Sequence, residues 1–148
     1  MPKFEREVEI DASVEDVWKI MIDPQNWPNW FPGMESVANV SALSVGGTFE
    51  WAKEGKTGQG TIEELVPLKR LKIITLLEKD KDAHVFELKP SGGFLGLKDD
   101  ECKVNYMLDT LMGGGILGNF IAGGNPKDML QVKKSMHQLR KLIESKTS

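Results

Sequence analysis

Some residue types are scarce in this chain. There is one cysteine, Cys102, one tyrosine, Tyr106, and two histidines, His84 and His137. A single thiol excludes an internal disulfide framework and a Cys-rich zinc site. Two histidines this far apart make no metal set on their own, so no metal and no other cofactor is expected. There is no G-x-S-x-G elbow for a nucleophilic serine. Cys102 follows Asp99, Asp100 and Glu101, a negative neighbourhood that raises a thiol pKa rather than activating it. Long hydrophobic runs are also missing. The longest uncharged stretch, 110–126, has seventeen residues with six Gly, slightly short for a spanning helix. The first residues, Met1-Pro2-Lys3-Phe4-Glu5, are charged at once and hold no apolar signal region, so a cytoplasmic protein is expected.

Positive charge is scarce overall, with a net charge of −3. Residues 126–148 hold six Lys/Arg against two Asp/Glu, net +4; residues 1–125 hold thirteen against twenty, net −7. An acidic body argues against a dedicated nucleic-acid binder, which wants a strong basic face. The basic C-terminus is read mainly as a solvated helix face. A transient contact with a membrane or an acidic protein is the role it leaves open.

What is present describes one globular domain, 1–148. The 148 residues are 40% hydrophobic and 28% charged, enough to build a sizeable core. Phe4, Val8 and Ile10 alternate with Glu5, Glu7 and Glu9, the period of a half-buried strand, and Arg6 shares the apolar parity. Arg6 therefore points inward or sits at the sheet's rim. Ser13 with Asp16 forms a capping pair, and Val14, Val17, Trp18, Met21 and Ile22 give the stripe of a short helix. Pro24 ends that helix and opens a second one, with Asp23 as cap and Trp27 and Trp30 on one face. Segments 36–43, 47–54, 57–66, 70–78, 83–89 and 102–111 read as six strands of an antiparallel meander, separated by turns such as Glu54-Gly55-Lys56 and Lys79-Asp80-Lys81-Asp82.

Alternation then assigns an inner face: Phe49 and Trp51; Leu71, Ile73, Thr75 and Leu77; His84, Phe86 and Leu88; Val104, Tyr106 and Leu108. Ile74 and Leu76 leave the faces of their strand ambiguous. Glu63 and Glu64 are placed on opposite faces, which argues against a carboxylate dyad. The last element is a long helix. Asn125 caps it, Pro126 starts it, and Met129, Val132, Met136, Leu139 and Ile143 form its apolar stripe. The order strand, two short helices, six strands, long helix is an α+β architecture.

The run 10–18 (IDASVEDVW), followed by 23–33 (DPQNWPNWFPG), resembles the N-terminal signature of the SRPBCC superfamily. That group holds START domains, birch-pollen-allergen-like proteins and polyketide cyclase/dehydrase-like proteins. Gly46-Gly47 before the third strand and the amphipathic C-terminal helix extend the resemblance over nearly the whole chain. It implies a helix-grip fold: a curved antiparallel sheet wrapped around the long C-terminal helix, with an internal cavity for a small hydrophobic molecule. The cavity lining expected on that basis is Arg6, Phe49, Trp51, Ile73, His84, Phe86, Tyr106, Leu108, Phe120, Met129 and Met136. Three functions stay open: binding or transport of a lipid, isoprenoid or polyketide-like ligand; a cyclase/dehydratase-type enzyme; and a co-chaperone-like interaction module. The reading leans away from an enzyme, whose catalytic candidates would be His84 and Tyr106.

Two other features are weighed here. Gly113-Gly114-Gly115-Ile116-Leu117-Gly118 matches G-x-G-x-x-G, but no strand follows and only thirty residues remain, so it is not read as a dinucleotide loop. The glycine-rich segment 112–124 is either a pocket lid or packing under a sheet edge. Phe94, Leu95 and Leu97 sit in a hairpin loop that guards a cavity mouth, meets a partner or folds over the sheet end.

Overall fold

The computed structural model describes residues 3–31, 33–91, 101–112 and 126–147. In chain order the elements are β1 (Lys3–Ile10), α1 (Val14–Met21), a 3-10 turn (Pro24–Asn26), α2 (Trp27–Trp30), β2 (Ser36–Ala38), β3 (Thr48–Lys53), β4 (Lys56–Val66), β5 (Arg70–Leu77), β6 (Asp80–Ser91), β7 (Glu101–Met112) and α3 (Pro126–Thr147). The strands form one seven-stranded sheet in the order β1-β7-β6-β5-β4-β3-β2. Every pairing is antiparallel. The meander expected from the sequence is therefore present, and β1 joins its far end beside β7. None of the described helices is long and apolar enough to cross a membrane.

Local chemistry accounts for the short helices. The Ser13 hydroxyl accepts the Asp16 N–H at 3.1 Å and starts α1. Asp23 accepts the Gln25 N–H at 3.0 Å. The second helix is split, however, into the 3-10 turn and the single turn of α2, because Pro24 and Pro28 each remove a backbone donor. Trp27 donates its indole N–H to the Met21 carbonyl at 2.7 Å, satisfying the polar edge of a fully buried ring.

The strand boundaries correct the sequence reading at three places. The second strand stops at Ala38, where Asn39 takes φ 53°, rather than running to 43. The charged turn at 79–82 shrinks to a tight turn at Glu78-Lys79, since Leu77 and Asp80 are already paired and Glu78 has φ 55°. In β4 a bulge lies between Ile62 and Glu64. It breaks the alternation, so Glu63 and Glu64 are not on opposite faces. Both reach cations of β5: Glu63 pairs with Lys72 at 2.9 Å, and Glu64 with Arg70 at 2.5 Å.

The inner face otherwise follows the expected parity. Phe49, Trp51, Leu71, Ile73, Thr75, His84, Phe86, Leu88, Val104, Tyr106 and Leu108 are all buried. Leu77 is half-buried, while Leu76 on the opposite face is exposed, which settles the ambiguous strand. Two glycines set the packing of β3 on β4. Gly60 lies opposite Phe49 and Gly58 opposite Trp51. A Cβ on Gly60 would stand 2.1 Å from the Phe49 ring, and one on Gly58 would stand 2.3 Å from the Leu76 carbonyl oxygen. Both aromatic rings can therefore lie flat across β4 only because those positions carry no side chain.

The apolar stripe of α3 closes the core through Val132, Met136, Leu139 and Ile143, all buried. Each such side chain contributes roughly 1.5–3 kcal/mol relative to exposure. The helix packs along β1 and against α2. Glu144 accepts the Asp11 N–H at 2.9 Å, tying the end of α3 to the turn after β1. The buried Ser135 hydroxyl donates to the Trp30 carbonyl at the end of α2, satisfying a terminal helix carbonyl.

Candidate functional site

Among the described residues, the buried hydrogen-bonding side chains of the sheet's inner face, Thr75, His84 and Tyr106, form one line across β5, β6 and β7. The His84 Nε2 is 2.9 Å from the Thr75 Oγ1, and its Nδ1 is 2.6 Å from the Tyr106 hydroxyl. All three residues are buried. The register explains how they meet. Ile73 stands opposite His84, and Phe86 opposite Tyr106, so Thr75 and Tyr106 are the diagonal neighbours of His84 on the same face. Burial holds the His84 pKa down to about 3, which leaves the imidazole neutral at pH 7. A neutral ring has one N–H and one lone pair, so one of its two bonds donates and the other accepts.

Aromatic rings enclose this line. Tyr106 stacks on Phe86 with centroids 4.5 Å apart, and Phe31 lies against His84 at 4.8 Å. Trp30 meets Phe86 edge-on at 5.2 Å. The Trp30 indole N–H is buried and has no hydrogen-bond partner among the described residues. Beside Phe31 a groove of about 300 Å³ opens between α2, the following loop, the β3–β4 turn and α3. Its wall includes Pro28, Phe31 and Met34, and its edge carries Glu35, Lys53 and Lys134. A second groove, of about 750 Å³, lies at the other end of the sheet between Val14 of α1, Val66 and Leu68 of the β4–β5 turn, and Leu88 and Pro90 of β6.

The structure brings most of the sequence candidates together. Phe49, Trp51, Ile73, His84, Phe86, Tyr106, Leu108 and Met136 are all buried in one core. Within it, His84, Phe86 and Tyr106 form the polar-aromatic centre. Trp51 is committed to the sheet instead, donating its indole N–H to the Gln59 carbonyl at 3.1 Å. Arg6 stands opposite Tyr106 in the register but is exposed, because β1 is an edge strand. Phe120 lies outside the described residues, as do the side chain of Met129, the capping Asn125, the loop with Phe94, Leu95 and Leu97, and the glycine-rich stretch beyond Met112.

His137 is exposed on α3, away from the centre. Cys102 is buried, and burial pushes its thiol up to about 11, with Glu15 adding to the effect. The direction expected from sequence holds, but burial rather than the adjacent acidic run is the main cause.

Sequence reasoning places Thr75 on the inner face and Trp30 on one face of the second helix, without giving either a role. Phe31 was not singled out. For Thr75 the signal was present: a hydroxyl at the parity of Leu71 and Ile73 needs a partner once buried. For Phe31 there was none, because its contacts with His84 and Phe86 join segments more than fifty positions apart.

The profile of the polyketide cyclase/dehydrase and lipid transport family matches residues 1–144. No match was found among curated proteins. Among solved structures, the protein XoxI from Bacillus cereus superposes with a TM-score of 0.73 at 13% identity, covering 100% of this chain and 99% of that one. A START superfamily protein from Mycobacterium smegmatis gives 0.68 at 15% identity over 97% and 95% of the two chains. The Aha1 dimer from Colwellia psychrerythraea gives 0.68 at 14% identity over the full length of both. At these identities the likeness is one of fold, and it is the helix-grip fold. The family match over nearly the whole sequence, with the seven-stranded sheet and its C-terminal helix, places the chain in the SRPBCC superfamily as a member of the polyketide cyclase/dehydrase and lipid transport family.

Proposed function

We propose that the protein binds or carries a small hydrophobic molecule of the lipid, isoprenoid or polyketide-like class, held by apolar burial and oriented by polar groups of the inner face. The observation that carries this reading is the Thr75–His84–Tyr106 line, a linked set of hydrogen-bonding side chains within a largely apolar interior. Interiors gain little stability from such groups, since an apolar replacement of both partners is often neutral. They do offer direction to a ligand that carries one polar atom. The family, whose description includes lipid transport, supports the same class of ligand.

The same geometry weighs against acid–base catalysis. A general base works best with a pKa near the working pH, and His84 is held at about 3. It is a poor proton acceptor at pH 7, while its hydrogen bonds fix its orientation. Binding over turnover is therefore the preferred reading. The test is native mass spectrometry of the purified protein for a retained small molecule, followed by titration with a neutral apolar fluorophore. Saturable uptake, competed by a cell lipid extract and retained in Tyr106→Phe, supports a binder whose affinity comes from apolar burial. Absence of both a retained molecule and saturable uptake overturns the reading. Turnover of a polyketide-like substrate, abolished by His84→Gln while uptake persists, would replace it with the enzyme.

A further inference from the structure

The larger groove, of about 750 Å³, shares no residue with the Thr75–His84–Tyr106 line. Its apolar lining is Val14 of α1, Val66 and Leu68 at the β4–β5 turn, and Leu88 and Pro90 of β6. Two of these side chains face water: Val66 is 43% exposed and Leu68 38% exposed. The turn itself presents them. The Lys69 N–H donates to the Val66 carbonyl at 3.0 Å, and Leu68 has φ 65°, at a corner that suits Gly or Asn. A leucine there is both strained and wet, so the needs of the turn do not account for it. The Leu88 N–H donates to the Lys69 carbonyl at 2.8 Å, which fixes the turn beside β6. Charge is uneven around this lining. Arg70 is held by Glu64 at 2.5 Å and Glu87 at 2.8 Å, so its charge is already matched. Lys69 and Lys89 are exposed and make no ion pair among the described residues. Glu15 stands on the α1 side.

We infer that this groove binds a single-chain amphiphile with an anionic head, of the fatty-acid class. The hydrocarbon chain lies against Val14, Val66, Leu68 and Leu88, and the carboxylate lies beside Lys69 and Lys89. The inference goes beyond the reading above, because it names a second seat and a charged head that the inner-face line does not call for. The groove's volume falls within the roughly 300–1,000 Å³ of small-molecule sites, and its lining is apolar with a few polar groups, as theirs is. A chain laid over Val66 and Leu68 removes their apolar surface from water. Lysine suits the rim of such a seat: its aliphatic stem extends the apolar wall while the ammonium stays in water. A carboxylate held there keeps part of its hydration and gains two opposite charges, so it escapes the cost of burying an ion. Glu15 repels the same head from the α1 side and so sets the direction in which the chain lies. A cationic head meets the reverse balance, two like charges against one opposite.

The experiment is displacement of a dansyl-labelled undecanoic acid by three amphiphiles of equal chain length: decanoate, decanol and decyltrimethylammonium. Decanoate should bind at least fivefold tighter than the alcohol, with the cation weakest. In the double variant Lys69→Gln, Lys89→Gln, at exposed positions, decanoate affinity should fall at least fivefold and decanol affinity less than twofold. Leu68→Gly relieves the turn, so the melting temperature should hold while decanoate and decanol each bind at least threefold more weakly. Backbone amide shifts on adding decanoate should cluster at Val14, Leu68 and Leu88. Equal affinities for the three amphiphiles, unchanged decanoate binding in both variants, or shifts confined to Thr75, His84 and Tyr106 overturn the site. Uptake of the neutral apolar fluorophore is read separately, so the inner-face reading survives that failure. Vesicles of phosphatidylcholine and phosphatidylglycerol form the last arm. Co-sedimentation lost in the lysine variant, with no decanoate bound by the wild type, overturns the fatty-acid site in favour of a lipid surface.

Discussion

His84 should make the protein acid-sensitive in a way that one substitution removes. The ring is 4% exposed, and burial lowers its pKa from 6.5 to about 3. In the unfolded chain it titrates near 6.5, so between 6.5 and 3 the unfolded state binds a proton that the folded state does not. The neutral-histidine contribution is therefore fully present above pH 6.5 and is lost progressively as the pH falls toward 3. Each pH unit below 6.5 removes about 1.4 kcal/mol. Going from pH 7 to pH 5 should thus cost the wild type about 2 kcal/mol through this one group. The assay is urea unfolding at both pH values for wild type, His84→Gln and His137→Gln. His84→Gln is less stable at pH 7, because the hydrogen bonds to Thr75 and Tyr106 are disturbed. Its loss between pH 7 and pH 5 should nevertheless be smaller than the wild-type loss by about 2 kcal/mol. His137→Gln is the control substitution at an exposed position on α3. Equal slopes in wild type and His84→Gln would refute the reasoning, since His84 would then not be buried and neutral.

Two further outcomes follow from packing. Gly60→Ala places a methyl 2.1 Å from the Phe49 ring and should lower stability by about 1–3 kcal/mol in urea unfolding; adding Phe49→Leu should recover part of the loss, whereas additive losses would mean the ring does not lie over Gly60. Cys102, buried with its thiol pushed up to about 11, should react with a disulfide reagent at pH 8 only as fast as the protein opens; labelling in native buffer at the rate of a free thiol would show that the β1–β7 end of the sheet is not closed.

How much of this was legible beforehand depended on the range of the interaction. The period-two alternation in 102–108 identified the inner face, because a strand's side chains alternate whatever it pairs with, whereas Ile74 and Leu76 left 70–77 to be settled by burial. Proline and side-chain caps marked the short helices because their hydrogen bonds reach only two or three positions. The bulge between Ile62 and Glu64 was not legible, since nothing local distinguishes an added residue from an ordinary one. Glu63 and Glu64 consequently took faces the alternation did not foresee. Trp51 was placed on the correct face, but its bond to the Gln59 carbonyl across a hairpin whose glycines admit the ring was not legible.

The sequence by itself therefore determined the element order, the inner parity and the family, all consequences of local pattern along the chain. Only the tertiary structure decided which inner residues form a site. Thr75, His84 and Tyr106 lie on three strands and join only through the diagonal register of β5, β6 and β7. Phe31 reaches His84 only because α2 is folded under α3 against the sheet. The same burial that brings these groups together sets their chemistry, since removing water from an imidazole turns an ordinary histidine into a neutral, fixed hydrogen-bonding group.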